Sequence, residues 1–271
     1  MPPQPAVRVT SRQNPLVTRF REAARQPTAE GPALVEGATL LDEAHRAGWI
    51  IEVVAFTDTA LADSTVARLV AAFPPDVTRL LVSERVAEAM SPARTPSGVV
   101  ALARGHAWTL GEVLAADPAL VVIAVDVQDP GNIGAIVRAA EAAGATGVIA
   151  AGTSAAPFGW KALRGAMGSA FRLPVLRLPG VDEGIRACRD RGMRLIATAT
   201  DGVLLDRVAL DEPCAILVGA EGTGLPQALV DAADTRLTIP MHAPVESLNV
   251  AVAAGIILYE ARRQRTHGMA P

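Results

Sequence analysis

Three short stretches of this 271-residue chain bring together side chains that can position and polarise a small polar group. The first is Asp126-Val127-Gln128-Asp129-Pro130-Gly131-Asn132-Ile133-Gly134, followed by Arg138. An amide offers both donor and acceptor, and a guanidinium keeps its charge and fits a phosphate or a forming oxyanion. Asn132 and Arg138 are six residues apart and share no face of a continuous helix. They converge only if Asn132 belongs to the turn and Arg138 reaches back along the helix. The second stretch is Val218-Gly219-Ala220-Glu221-Gly222-Thr223-Gly224-Leu225-Pro226. Its three glycines permit close backbone approach to a ligand. It has neither a G-x-G-x-x-G fingerprint nor a P-loop lysine, and Glu221 would repel a pyrophosphate, which disfavours a nucleotide-binding oxidoreductase. The third is Ile239-Pro240-Met241 followed by Glu246-Ser247-Leu248-Asn249-Val250-Ala251-Val252-Ala253. Ser247 reads as a helix N-cap, whereas Asn249 is a poor helix former for the first turn of an apolar helix. Taken singly, each stretch also has a purely structural reading: a capped strand-turn-helix, a glycine turn, a capped helix.

Each stretch follows an apolar run that would hold it at a strand end. Residues 121–125 form an uninterrupted apolar strand of the kind buried on both faces. Residues 131–143 read as a helix closed by Gly144, and 147–150, 194–199, 215–218 and 237–239 read as further strands. A last helix spans 247–262, with Leu248, Ala251, Val252, Gly255, Ile256 and Tyr259 on one apolar face. In open parallel sheets, ligands gather outside the carboxyl ends of the strands, where these turns would lie. Upstream, helices at 11–25, 38–47 and 61–73 alternate with strands at 33–35, 51–56, 79–82 and 99–103. The spacing fits a small α/β domain. The expected organisation is therefore a first domain over 1–104, a linker over 105–118 with one helical turn after Thr109, and a second domain over 119–271.

Half of the residues are hydrophobic but only 3% are aromatic, so the core must be built from Ala, Val, Leu and Ile. Two cysteines, Cys188 and Cys214, are too few for a disulfide framework and read as reduced, buried thiols. Residues 1–10 contain no signal-like apolar core, and the charge-free run 142–160 is too rich in Gly, Ala, Thr, Ser and Pro for a membrane span. The expectation is a soluble cytoplasmic protein. A formal net charge of −3 argues against a globally basic nucleic-acid binder. Residues 1–27, however, hold five arginines against Glu22 alone, residues 157–177 hold four cations and no acid, and the tail carries Arg262, Arg263 and Arg265. Such patches can hold phosphates on a slightly acidic protein.

In this order and spacing, the three stretches resemble the SpoU (TrmH-like) branch of the SPOUT methyltransferases over about residues 120–262. The likeness includes Lys161-Ala162-Leu163-Arg164-Gly165-Ala166-Met167-Gly168-Ser169-Ala170-Phe171. Ser11-Arg12-Gln13-Asn14-Pro15-Leu16-Val17 and Leu34-Val35-Glu36-Gly37 resemble the ribosomal-protein-like RNA-binding domain that precedes the catalytic domain in many rRNA-modifying members. Relatives often carry extra Lys or Arg between these blocks, whereas Gln26-Pro27-Thr28-Ala29-Glu30 is not basic.

The resemblance implies an α/β protein: a C-terminal parallel-sheet SPOUT domain with a deep trefoil knot, preceded by a small α/β RNA-binding domain. It implies a homodimer that methylates a ribose 2′-hydroxyl of RNA with S-adenosylmethionine, on 23S rRNA or alternatively tRNA. A nonenzymatic RNA-binding or assembly protein of the same fold is the reading from a different class. Backbone around Thr198, Ala199, Gly219, Ile239 and Leu248 would hold the methyl donor. Asn132, Arg138, Glu221, Ser247 and Asn249 would form the catalytic set. In it Arg138 stays charged, grips a phosphate and stabilises the forming alkoxide, Asn132, Ser247 and Asn249 orient the nucleotide and loops, and Glu221 fixes Arg138 or a nearby backbone group. Arg8, Arg12, Arg19, Lys161 and Arg164 would contact RNA. No metal is called for, because the leaving group is neutral and the electrophile already activated.

Overall fold

A computed structural model describes residues 6–25 and 31–267; the non-basic stretch 26–30 lies outside the described residues. The chain divides into two compact units, Met1–Ala107 with Phe158–Phe171, and Trp108–Pro157 with Arg172–Pro271.

In the first unit, strands β1 (Val7–Val9), β2 (Ala33–Glu36), β3 (Ile50–Phe56), β4 (Thr78–Val82) and β5 (Val99–Arg104) form one sheet in the order β1-β4-β3-β5-β2. The β1, β4 and β3 strands run parallel, while β5 pairs antiparallel with β3 and β2. Helices α1 (Pro15–Arg25), α2 (Ala38–Arg46), α3 (Asp58–Leu61), α4 (Ser64–Ala72) and α5 (Glu84–Met90) connect them. Helix α1 buries Val17, Phe20 and Ala23 against a core that includes Leu34, Leu80 and Leu102, which leaves its arginines outward. The helix expected from residue 11 starts only at Pro15, because the Asn14 side chain accepts the Leu16 N–H at 2.9 Å. The helix expected over 61–73 begins only at Ser64, since Asp63 accepts the Thr65 N–H at 2.7 Å and caps it there, after the separate short helix α3 has ended at Leu61. Strand β1 and helix α5 were not anticipated from periodicity.

The second unit begins with α6 (Leu110–Val113), the turn expected after Thr109, held by a reciprocal Thr109–Glu112 capping box. Val113 and Leu114 are buried in this unit's core, so the supposed linker contributes to packing. Then follow β6 (Leu120–Val125), α7 (Pro130–Ala143) and β7 (Gly147–Ala151). The next helix, α8 (Trp160–Ala166), belongs to the first unit. The chain continues through β8 (Val175–Leu178), α9 (Asp182–Asp190), β9 (Arg194–Leu204), β10 (Cys214–Val218), α10 (Gln227–Ala232), β11 (Thr235–Thr238) and α11 (Val250–His267). The sheet order is β11-β9-β10-β6-β7-β8, parallel throughout. Every residue of β6, β7 and β10 is buried, as a strand covered on both faces requires. The β9 strand outruns its expected end at 199, because Val203 and Leu204 pair with Leu237 and Thr238 beyond a register shift in β11.

Helix α11 differs from its sequence reading in start and in facing. It begins at Val250, three residues later than expected, and buries Val250, Ala254, Ile257, Leu258 and Ala261. The apolar face read from the sequence is largely outward: Val252 is 51% exposed and Tyr259 71%. Apolar residues nearly encircle the helix, so periodicity alone does not say which stripe meets the core.

The second domain was expected to be continuous over 119–271, yet Phe158–Phe171 goes with the first unit. Its aromatics explain why. In a chain this poor in rings, Trp49 meets Phe171 edge-on at 4.8 Å and Phe158 at 5.7 Å, and the Trp49 indole N–H donates to the Phe171 carbonyl at 3.2 Å.

Candidate functional site

The three sequence stretches are the turns that leave the carboxyl ends of β6, β10 and β11, all in the second unit. After β6, Asp129 is the N-cap of α7, its carboxylate accepting the Asn132 N–H at 2.8 Å, with Pro130 opening the helix. Asn132 therefore lies inside the first turn of α7 rather than in the preceding loop. Six helical residues turn through 600°, so Arg138 points about 120° away from Asn132. Arg138 is exposed and makes no hydrogen bond or ion pair with a described residue. The condition for convergence within one chain is not met.

Asn249 joins the turns. Its Oδ1 accepts the N–H groups of Ala251 at 2.9 Å and Val252 at 3.3 Å, which makes it the cap of α11 in place of Ser247. That resolves the oddity of an asparagine in a first helical turn: it stands just before the helix. Its Nδ2 donates to Asn132 Oδ1 at 3.1 Å and to Glu221 Oε1 at 3.4 Å. One amide thus caps a helix with its oxygen and ties two other turns with its nitrogen. Asn132, Glu221 and Asn249 are brought together, and Glu221 faces Asn249 rather than Arg138. Ser247 sits in the exposed segment before α11, where its side chain hydrogen-bonds to no described residue.

The glycine turn after β10 is shaped by its own backbone. A Cβ on Gly219 would stand 2.2 Å from the Gly224 carbonyl carbon, so only glycine fits there. Gly224 N–H donates to Ala220 O at 2.9 Å and closes the loop. Gly222 and Gly224 have φ of +83° and +68°, with open space where a side chain would stand.

The residues around these turns suit an adenosine-bearing sulfonium. Thr198, in β9, donates its hydroxyl to Leu217 O at 3.1 Å. Ile239 is half-buried, while Leu248 and Val245 are 37% and 54% exposed, apolar surface of the kind that packs on a purine. The side-chain-free edge at Gly222 and Gly224 leaves room for a ligand to approach backbone groups.

The cations expected to touch RNA all fall in the first unit, because Lys161 and Arg164 lie within Phe158–Phe171. Arg8 stands 3.7 Å from Asp58, and Arg19 pairs at 2.9 Å with Glu52, which also holds Arg104. These two are partly neutralised. Arg12 is exposed, and Lys161 and Arg164 lie 5.6 and 5.9 Å from the Trp160 ring centroid without a carboxylate partner among the described residues.

Sequence reasoning missed Asp126 and Thr153. Asp126 follows β6 with φ +56°, and its Oδ1 accepts the Thr153 N–H at 2.7 Å and the Thr153 hydroxyl at 2.9 Å. An acid directly after an apolar strand and just before a Pro-Gly turn was the available signal.

Among the described residues, no helix is long and apolar enough to cross a membrane.

Comparison with known proteins places this geometry. The profile of the SpoU rRNA methylase family matches residues 119–259. A protein of Synechocystis named an uncharacterized tRNA/rRNA methyltransferase is 33% identical over 97% of this chain and 96% of its own. The 23S rRNA (guanosine(2553)-2′-O)-methyltransferase of Bacillus subtilis is 31% identical over 88% of this chain and 91% of its own. The crystal structure of the SpoU methyltransferase AviRb from Streptomyces viridochromogenes with the cofactor AdoMet superposes with a TM-score of 0.86, at 28% identity over 94% of this chain and 99% of that one.

Proposed function

This chain belongs to the SpoU rRNA methylase family, RNA 2′-O-methyltransferases that use S-adenosylmethionine, and from that premise we propose that it methylates a ribose 2′-hydroxyl of 23S ribosomal RNA. The observation that carries the reading is the convergence of Asn132, Glu221 and Asn249 at the carboxyl edge of a parallel sheet.

S-adenosylmethionine supplies a methyl group already activated on a positive sulfur. The protein's part is to hold the ribose oxygen in line and to favour its developing negative charge. Backbone around Thr198, Ala199, Gly219, Ile239 and Leu248 holds the donor. Asn249, bonded to both Asn132 and Glu221, fixes the turns that border the reacting atoms, and the Ser247 hydroxyl is available to the nucleotide. The family implies the trefoil knot through this part of the chain.

Arg138, through its planar bidentate guanidinium, grips a phosphate beside the oxygen under attack. It cannot do so beside Asn132 of its own chain. On α7 it faces outward, and on α11, packed against α7, Val252, Ile256 and Tyr259 also face outward. A second copy seated on that apolar surface would receive Arg138 at its own site, so the active form is a homodimer with composite sites. The division of labour follows the compact units: Arg12, Lys161 and Arg164 engage RNA, and the second unit carries the chemistry.

The test is transfer of tritiated methyl from S-adenosylmethionine to rRNA from a deletion strain, followed by mapping of 2′-O-methyl groups. One new 2′-O-methyl in 23S rRNA is expected. Incorporation into tRNA alone would move the substrate. No incorporation together with no calorimetric binding of the donor would remove the enzyme reading.

A further inference from the structure

Beyond the residues that border the reacting atoms, we infer that Asp126 is a positioning residue that locks the Asn132-bearing turn to the neighbouring turn after β7. Three observations carry this. Asp126 is one of two non-glycine residues with positive φ among the described residues, a conformation that costs a side-chain-bearing residue about 1 kcal/mol or more. Aspartate is among the few side-chain-bearing residues that tolerate it, and here its carboxylate is bonded in place. Its Oδ1 accepts both the backbone N–H and the hydroxyl of Thr153, at 2.7 and 2.9 Å, while its own N–H donates to Ala151 O at 3.2 Å. Gly152, the residue between those partners, has φ +66°, and a Cβ on it would meet Asp126 Oδ1 at 2.3 Å. The two turns thus close on each other with no room for a side chain on the second.

The seam continues past this pair. The buried Ser154 hydroxyl accepts the Val127 N–H at 3.0 Å and lies within donating distance of Ala124 O and Ala151 O, at 3.0 and 2.8 Å. Ala155 N–H donates to Val127 O at 2.9 Å, and Gln128 reaches the Thr153 hydroxyl at 3.4 Å. Residues 126–128 are therefore tied to 151–155 at every step, and two residues later Asp129 caps the helix that carries Asn132. The lock fixes where α7 begins. Asn132 meets Asn249 at hydrogen-bond distance only if α7 begins there, and an ångström of slack would break that bond.

The inference rests on the methyltransferase reading. The experiment compares wild type with Asp126→Gly, Asp126→Asn and Thr153→Val in methyl transfer and thermal unfolding. Glycine accepts the positive φ without strain but has no oxygen, so the loss of the lock is offset in stability by the relief of the backbone. For D126G we expect a melting temperature near wild type, unchanged donor affinity by calorimetry, and kcat lowered by about tenfold or more. D126N keeps the accepting oxygen and should retain most of the turnover; T153V, which keeps only the backbone donor, should fall between. D126G turnover within twofold of wild type would overturn the inference. So would a kcat loss matched by loss of folded protein, which assigns Asp126 to folding alone. Equal damage from D126N and D126G would also overturn it, because the charge rather than the lock would then matter. An inactive wild type would instead count against the functional reading.

Discussion

Replacing Asn249 by Asp separates the two tasks of its amide. The oxygen that accepts from Ala251 and Val252 is kept, and a carboxylate at a helix N-terminus gains about 0.3–1 kcal/mol from the helix dipole. The nitrogen that donates to Asn132 and Glu221 becomes an oxygen. At the 3.4 Å separation of Asn249 from Glu221, two like charges in a water-like dielectric repel by ~1.2 kcal/mol. Losing the donor to these exposed acceptors costs ~1 kcal/mol more. If the register of the turns is needed in the transition state, the sum of ~2 kcal/mol lowers kcat/KM by about 30-fold. The dipole term offsets only part of these costs, so the melting temperature should fall by a few degrees as well. Asn249→Ala is the counterpart: it loses the cap as well, at ~1 kcal/mol, and should melt about 2–4 °C lower. Steady-state methylation of rRNA and differential scanning fluorimetry measure both. The reasoning is refuted if N249D keeps kcat/KM within twofold of wild type.

Arg265 on α11 donates to Leu210 O at 2.8 Å, Pro118 O and Ala119 O at 3.0 Å and Glu212 O at 2.7 Å, so one guanidinium holds the chain just ahead of β6 and β10. Arg265→Ala should cost about 2 kcal/mol by leaving carbonyls unsatisfied, read by urea unfolding, with a loss under 0.5 kcal/mol as the contrary result. Ile256→Glu puts a charge in the outward apolar face of α11, and sedimentation should show the homodimer converted to monomer with methyl transfer lost; an unchanged sedimentation coefficient would remove that interface. Burial pushes the Cys188 thiol up to about 11 from an ordinary 9.0. Its folded-state pKa being the higher, the unfolded chain loses its proton first, so this thiol's contribution to stability is fully present below pH 9 and is lost as pH rises toward 11. The urea midpoint of wild type should therefore fall through that window more steeply than that of Cys188→Ala.

Local chemistry was legible wherever a residue acts on its own neighbours. The apolar runs at β6, β7 and β10 can only be strands buried on both faces, and Gly144, with φ +81°, could be read as a helix stop because only glycine takes that conformation cheaply. The order and spacing of the three turns carried the resemblance to the family, and the resemblance implied the reaction and the methyl donor. Partnership across the sheet was not legible. The sequence offers no reason why the Asn249 nitrogen should meet Asn132, 117 residues away, or Asp126 meet Thr153. It also could not show that Arg138 turns away from Asn132, since that depends on which residue opens α7. Nor does periodicity say which stripe of a nearly all-apolar α11 is buried, or that Phe158–Phe171 packs with the first unit. These outcomes depend on which surfaces meet, and tertiary packing decides that: the sequence determined what each turn can do, and the fold determined which turns act together.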